Sequence, residues 1–233
     1  MRQLRARADE RMADFIPALF NQLFGDPATN PKGWKVVNFV DVISSESNSL
    51  MRGPFGGAVK KEIFVPSGYK VYEQKNAIQD DFEIGTYFID EAKYQELRAF
   101  DVHSSDLIIS CSGTIGRIAI VPEGAKPGII NQALMKIRLD KAKVLPVFFK
   151  QLLETKSLQD ELFGTAEGSA IKNVKPLKQI RLTKIPLPSL ALQREFAARV
   201  AEARALQDQQ ARSRSRLEAG FQALLHRAFG GEL

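Results

Sequence analysis

Cysteine occurs once in these 233 residues, at Cys111, which excludes an internal disulfide. A lone cysteine reads as a small buried apolar residue rather than a nucleophile. Histidine is nearly as scarce: His103 and His226 are far apart and, with one cysteine, form no zinc-ligand spacing. No metal site is expected, although carboxylates remain available for magnesium. No apolar run approaches a membrane span, and Met1-Arg2-Gln3-Leu4-Arg5-Ala6-Arg7 lacks the apolar core of a signal peptide. A cytoplasmic protein with no membrane contact is expected. Acidic residues are outnumbered, 27 against 33 Lys and Arg, leaving a net charge of +6. That mild excess suits a nucleic-acid partner without establishing one. With 44% hydrophobic and 26% charged residues, the chain is a core former rather than a disordered polymer.

What is present falls into three stretches. Leu4, Ala8, Met12, Phe15, Leu19 and Leu23 recur at three- and four-residue steps, predicting an amphipathic helix from Met1 to Phe24. Pro17 predicts a kink or fresh start within it, and Gly25, Pro27 and Pro31 end it. Residues 1–26 are thus read as an N-terminal helix.

From Trp34 to about Pro188, short apolar or alternating runs dominate. These are Trp34 to Val42, Glu62 to Val65, Tyr69 to Tyr72, Asp106 to Ser110, Arg117 to Val121 and Ala133 to Leu139, punctuated by Gly, Pro, Asn and Ser. Helices are expected near Asp90 to Ala99 and from Leu145 to Leu162. Residues 27–188 therefore read as a mixed α/β (α+β) domain built mainly on strands. From Ser189 to Phe229 a three-four repeat returns through Leu192, Phe196, Val200, Ala203, Leu206, Leu217, Phe221, Leu224 and Ala228. A helix of that length spans roughly 60 Å at 1.5 Å per residue, too long for one small domain to cover. Residues 189–233 are read as a coiled-coil arm, weakened by its polar middle from Gln207 to Arg216. A solvated surface helix is the alternative. Leu192, Phe196, Val200, Leu206, Leu217, Phe221 and Leu224 are the expected assembly contacts.

The two helical ends are alike. Ala18-Leu19-Phe20-Asn21-Gln22-Leu23-Phe24-Gly25 aligns with Ala223-Leu224-Leu225-His226-Arg227-Ala228-Phe229-Gly230 at an offset of 205, four of the eight positions being identical. The simplest account is one unit cut from a tandem.

Three loops draw attention. Ser112-Gly113-Thr114-Ile115-Gly116 lies between strand-like runs, without a following Gly-Lys-Ser/Thr or an opening helix, so it reads as a tight β connection rather than a phosphate loop. Thr114 and Arg117 are expected at its tip. The stretch from Arg52 to Lys61 joins glycines, Phe55 and the cations Arg52, Lys60 and Lys61, a combination suited to phosphates and base edges. From Gly168 to Lys184, Lys172, Lys175, Lys178, Arg181 and Lys184 fall at steps of three with no acid among them. Such a block is either solvated or paired with an anion, for which a duplex backbone is the obvious candidate.

Chemistry is thinly represented. Asp80 or Asp81, followed by Glu91-Ala92-Lys93, loosely imitates the acid-then-Glu-x-Lys arrangement of metal-dependent nucleases, in which carboxylates hold the metal; Asp81, Glu91 and Lys93 are the candidate set. The usual proline before the aspartate is missing, and acids gather at helix starts for dipolar reasons alone. No Asp/Asn-Pro-Pro-aromatic tetrapeptide and no Ser-His-Asp set is present. A coiled-coil scaffold whose basic block binds an acidic protein is a further alternative.

Gly25-Asp26-Pro27, Asn30-Pro31-Lys32-Gly33-Trp34, Arg52-Gly53-Pro54-Phe55-Gly56, Ser112-Gly113-Thr114-Ile115-Gly116, Ile130-Asn131-Gln132-Ala133-Leu134 and Ile185-Pro186-Leu187-Pro188-Ser189-Leu190-Ala191-Leu192-Gln193 together resemble type I restriction–modification specificity subunits. They occur in that family's order and span nearly the whole chain. The resemblance implies a non-catalytic subunit with two target-recognition domains, each reading half of a split double-stranded DNA target and each followed by a long helix. Those helices pair antiparallel and dock modification subunits. This chain has one such domain, so it resembles a half-subunit or a C-terminal fragment, two copies of which would rebuild a symmetric reader through the long helix. The resemblance places S-adenosylmethionine in the partner methyltransferase, leaves no cofactor in this chain, and makes a restriction subunit an indirect partner. By residue type, the DNA contacts are expected at Arg52, Lys60, Lys61, Thr114, Arg117, Ser169, Lys172 and Asn173.

Overall fold

The computed structural model describes residues 14–55, 59–164 and 174–229, with backbone alone at 223, 224 and 227. The first helix, α1, is described over 14–24, and Pro17 lies inside continuous helical residues. It ends where Gly25 turns left-handed (φ 77°) and its N–H bonds Asn21 O at 2.8 Å. Trp34 then locks this terminus to the rest of the chain. Its indole N–H donates to Phe24 O at 2.9 Å, while the Asn30 side chain donates to Trp34 O and accepts from Trp34 N.

Among the described residues nine strands follow: β1 (Lys35–Asn38), β2 (Leu50–Arg52), β3 (Tyr69–Tyr72), β4 (Phe88–Ile89), β5 (Leu107–Ser110), β6 (Ile118–Ile120), β7 (Gly128–Ile130), β8 (Leu134–Ile137) and β9 (Lys184–Leu187). The helices after α1 are α2 (Gln74–Gln79), α3 (Glu91–Glu96), α4 (Pro146–Leu153), α5 (Lys156–Phe163), α6 (Leu177–Leu182) and α7 (Leu190–Phe229). The strands make a four-stranded antiparallel sheet β2-β8-β5-β6, a mixed three-stranded sheet β4-β3-β7, and the antiparallel pair β1-β9.

Several elements depart from the periodicity-based expectation. The run Trp34 to Val42 is a strand only as far as Asn38. There the Asp41 carboxylate accepts the Asn38 N–H at 2.9 Å and a 3-10 turn, Phe39–Val42, takes over. The run Glu62 to Val65 is also a 3-10 turn (Lys61–Ile63) with a lone bridge from Val65 to Phe88, ending before Pro66. The expected helix over Asp90 to Ala99 is α3 followed by a 3-10 turn, Arg98–Phe100. That over Leu145 to Leu162 is broken into α4 and α5 at Thr155, whose extended residue caps the break by donating its hydroxyl to Leu152 O at 2.7 Å. Strand β9 begins at Lys184, the last cation of the basic block, and tolerates Pro186 because a two-stranded pair leaves each strand a free edge.

The main core joins both helical ends to the sheets. Phe20 and Phe24 of α1, Phe148 of α4 and Phe196 of α7 are all buried, with ring centroids 4.8–5.7 Å apart. Phe20 and Phe24 each touch the other three rings, and such aromatic pairs contribute more than their buried area alone. Val200 and Ala203 extend the buried stripe of α7, and Leu192 packs on its edge. Leu192, Phe196 and Val200, expected among the assembly contacts, pack here against the helix's own domain. Beyond them the helix emerges, with Leu206, Leu217, Phe221 and Phe229 each more than half exposed. Leu224 is outside the described side chains.

A second interior feature is ionic. Lys136 is fully buried in β8 and donates to the backbone oxygen and carboxylate of Asp101. Arg138 forks onto Asp106 at 2.8 and 2.9 Å and reaches Glu46 at 3.1 Å. Burial opposes the charge on Asp101, but the Lys136 ammonium bonded to it holds its carboxyl below the ordinary aspartate value.

Candidate nucleic-acid interface

The strand registers bring four loops level at one end of the sheets. Arg52 pairs with Met135, Ser110 with Leu134, and Tyr72 with Ile130. The chain therefore leaves β2, β3, β5 and β7 at the same end, where β8 begins. Backbone bonds fasten these exits together: Gly53 N to Leu134 O, Cys111 N to Ala133 O, and Asn131 N to Tyr72 O, at 2.7–3.0 Å. Segments Arg52–Phe55, Glu73–Lys75, Cys111–Arg117 and Asn131–Ala133 form one cluster.

Much of this cluster is scaffold. A Cβ on Gly53 would stand 1.8 Å from the carbonyl oxygen of Asn131, so only glycine permits that approach. Asn131 folds its side-chain oxygen onto Ala133 N at 3.0 Å. The Ser110 hydroxyl donates to Thr114 O and accepts from Arg117 N, closing the β5–β6 connection expected from the sequence. Gly116 adopts φ 82° and passes beneath α5, where the Gln159 amide donates to its carbonyl at 3.1 Å. Thr114 thus supplies its carbonyl to the loop while its side chain stays exposed.

Other groups are left available. Phe55 is 73% exposed. Arg52 lies partly buried with its guanidinium 6.0 Å from the centre of that ring, within cation–π range. Among the described residues, Arg52, Lys60, Lys61 and Arg117 have no ion-pair partner. Three polar atoms, Arg52 Nε, Glu73 Oε2 and Gln74 Oε1, are buried without a hydrogen-bond partner among the described residues, and of these Glu73 Oε2 is ion-paired to Lys75. An unmet buried polar group costs roughly 1–3 kcal/mol. Burial pushes the Cys111 thiol up to about 11, against the opposing pull of Arg52, so it is inert as a nucleophile.

Of the residues expected at the interface, the structure brings Arg52, Thr114 and Arg117 to one end. Lys60 and Lys61 follow in the loop after Phe55, at the turn whose Ile63 packs on the β3–β4–β7 sheet. Ser169, Lys172 and Asn173 lie outside the described residues. In the rest of the basic block, Lys175 meets Glu161 at 3.6 Å, an acid supplied by α5. Gln74 and the exposed Gln132 are not among the contacts expected from sequence: nothing local marks Gln74, and Gln132 is visible only as part of the Ile130–Leu134 motif until the fold places them beside Gly113 and Gly53.

The nuclease arrangement is not assembled. The Asp81 side chain accepts from Glu83 N at 2.8 Å. Glu91 accepts from the Tyr69 hydroxyl and from Gln95, which hold its carboxyl below the ordinary glutamate value. Lys93 pairs with Glu96 at 2.7 Å. Among the described residues no three His, Cys, Asp or Glu side chains are grouped to hold a metal, and no helix is long and apolar enough to cross a membrane.

Comparison with known proteins gives the same picture from another direction. Residues 31–203 match the family described as Type I restriction modification DNA specificity domain. The type I restriction enzyme EcoBI specificity subunit of Escherichia coli is 30% identical over 136 residues, 57% of this chain and 28% of that protein. The solved HsdS subunit of Thermoanaerobacter tengcongensis superimposes with a TM-score of 0.58 at 21% identity, over all of this chain and 54% of its own. A chain from a structure of type I R-M complex assembly and conformational transition gives 0.66 at 19% identity, over all of this chain and 55% of its own. The chain spans about half the length of these structures and less of the E. coli relative.

Proposed function

The chain belongs to the type I restriction modification DNA specificity domain family, and we propose that it reads one half of a bipartite double-stranded DNA target for a modification subunit that it docks. One observation carries this reading: four loops are gathered at one end, bearing Arg52 and Arg117, which have no ion-pair partner among the described residues, exposed Phe55 and unsatisfied polar atoms. Cations position a protein on phosphates, and side chains with open hydrogen-bonding capacity read base edges. The reading assigns no catalytic residue here; methyl transfer from S-adenosylmethionine belongs to the modification subunit, and cutting to a restriction subunit met indirectly, all in the cytoplasm. Selection of the full chain on a randomised duplex library tests it. Enrichment of a short motif supports the reading, and salt-sensitive retention without any motif refutes it.

The exposed end of α7 supports assembly as a second part of the reading. Leu217 and Phe221 continue the stripe begun by Phe196, Val200 and Ala203 at three- and four-residue steps, yet lie bare. A second helix, from another copy of this chain or from the modification subunit, would cover them. Light scattering after size exclusion, on the chain alone and with a modification subunit, tests this. A monomer that forms no complex at micromolar concentration rejects it.

A further inference from the structure

We propose that Gln74 is a base-reading residue that recognises adenine. The inference rests on the DNA-reading function above and names a residue and a base for it.

Gln74 follows the end of β3 by two residues and stands in the loop cluster. Its polar neighbours are occupied. The Glu73 carboxylate pairs with Lys75 at 2.7 Å, and Glu73 N donates to Asn76 Oδ1 at 2.8 Å. The Asn76 amide donates to Asp81 O and Ile84 O. Gln74 Oε1 is buried and, among the described residues, accepts nothing; Glu73 Oε2 also lacks a hydrogen bond but has the Lys75 ammonium as its counter-charge. The amide lies beside Gly113, with Nε2 and Oε1 3.7 and 3.8 Å from where a Cβ on that residue would stand. Glycine keeps that side of the amide clear of any side chain, and Gly113 itself is exposed with a left-handed φ of 61°. To meet a base edge, the amide turns out of its buried position by rotation about the outer side-chain bonds of Gln74, on the side that Gly113 leaves clear.

The chemistry of the vacancy selects the base. An unfilled acceptor needs a donor, and the donors on major-groove edges are the adenine N6 and cytosine N4 amines. A glutamine amide also carries a donor. Adenine alone sets an acceptor, N7, beside its amine, so both ends of the amide are matched at once. Guanine would set its O6 oxygen against Oε1, two acceptors facing each other. Cytosine would leave Nε2 without a partner.

Duplex selection with the full chain and with Gln74→Ala and Gln74→Glu tests the proposal, each variant first checked for an unchanged melting temperature. The expected wild-type motif contains an adenine whose preference falls roughly tenfold or more in Gln74→Ala, with the other positions unchanged. Gln74→Glu, which retains an acceptor but no donor, is expected to shift that position toward cytosine. An unchanged motif in both variants, or a uniform loss at every position, overturns the role of Gln74 and leaves the DNA-reading function standing. Absence of any motif with the wild-type chain overturns that function, and this inference with it.

Discussion

Gly53 and Asn131 meet backbone to backbone, with the Asn131 carbonyl oxygen 1.8 Å from the site a Gly53 Cβ would occupy. This contact holds the loop leaving β2 against the loop entering β8, and the atoms that a Cβ would meet are all backbone, with no flexible side-chain end to yield. Gly53→Ala is therefore expected to lower stability by about 1–3 kcal/mol, as overpacking does elsewhere. Urea denaturation measures the loss. An unchanged midpoint would mean that the two loops do not approach this closely.

The Asp101–Lys136 pair predicts a pH dependence. The Asp101 carboxyl is held below its ordinary value by Lys136, so its contribution is complete above the ordinary aspartate range and is lost as pH falls through the depressed folded value. Asp101→Asn leaves the buried Lys136 ammonium without its counter-charge and is expected to cost on the order of 3 kcal/mol at pH 7. The gap between variant and wild type should narrow below about pH 4, the ordinary aspartate range. Stability curves from pH 2 to 8 would show it, and a gap independent of pH would refute it.

Helix α7 should respond differently along its length. Phe196→Ala removes a ring from the four-phenylalanine cluster and is expected to cost about 3–5 kcal/mol. Leu217→Ala, at a bare position, is expected to change the stability of the isolated chain by no more than about 0.5 kcal/mol. Chemical denaturation of both separates anchor from arm.

Arg117 is predicted to act on phosphate. Arg117→Ala should weaken binding evenly across duplex sequences and reduce the slope of log affinity against log salt by about 0.9. Fluorescence anisotropy over a salt series measures that slope. A relaxed preference at one base position would instead make Arg117 a base reader.

Strong periodicity made parts of this fold legible. Leu107-Ile108-Ile109-Ser110 and the three-four repeat of α7 reveal their structure locally. Strand β7 does not. It has three residues and begins with Gly128, whose place depends on Lys70 O lying 2.0 Å from a would-be Cβ, a condition visible only after folding. The stripe of α7 shows a different limit: Phe196 and Leu217 have the same spacing logic, but periodicity does not say which covering surface each one meets. At the candidate site, residue type and loop position single out Arg52, Thr114 and Arg117, which the folded chain gathers at one end. Gln74 was hidden because Glu73-Gln74-Lys75 looks like any solvated helix start until β3 and β7 pair.

The rigid seating of α7 in the phenylalanine cluster has a geometric consequence. Past Ala203 the helix continues to Phe229, roughly 39 Å at 1.5 Å per residue. Its base cannot swivel without unpacking four rings, so the tip and the loop end of the domain share one fixed azimuth. Each residue inserted into the bare stretch would advance the tip by about 1.5 Å and turn it by about 100°. Reach and bearing are thus geared together, and changes of length there come in discrete angular clicks rather than as free play.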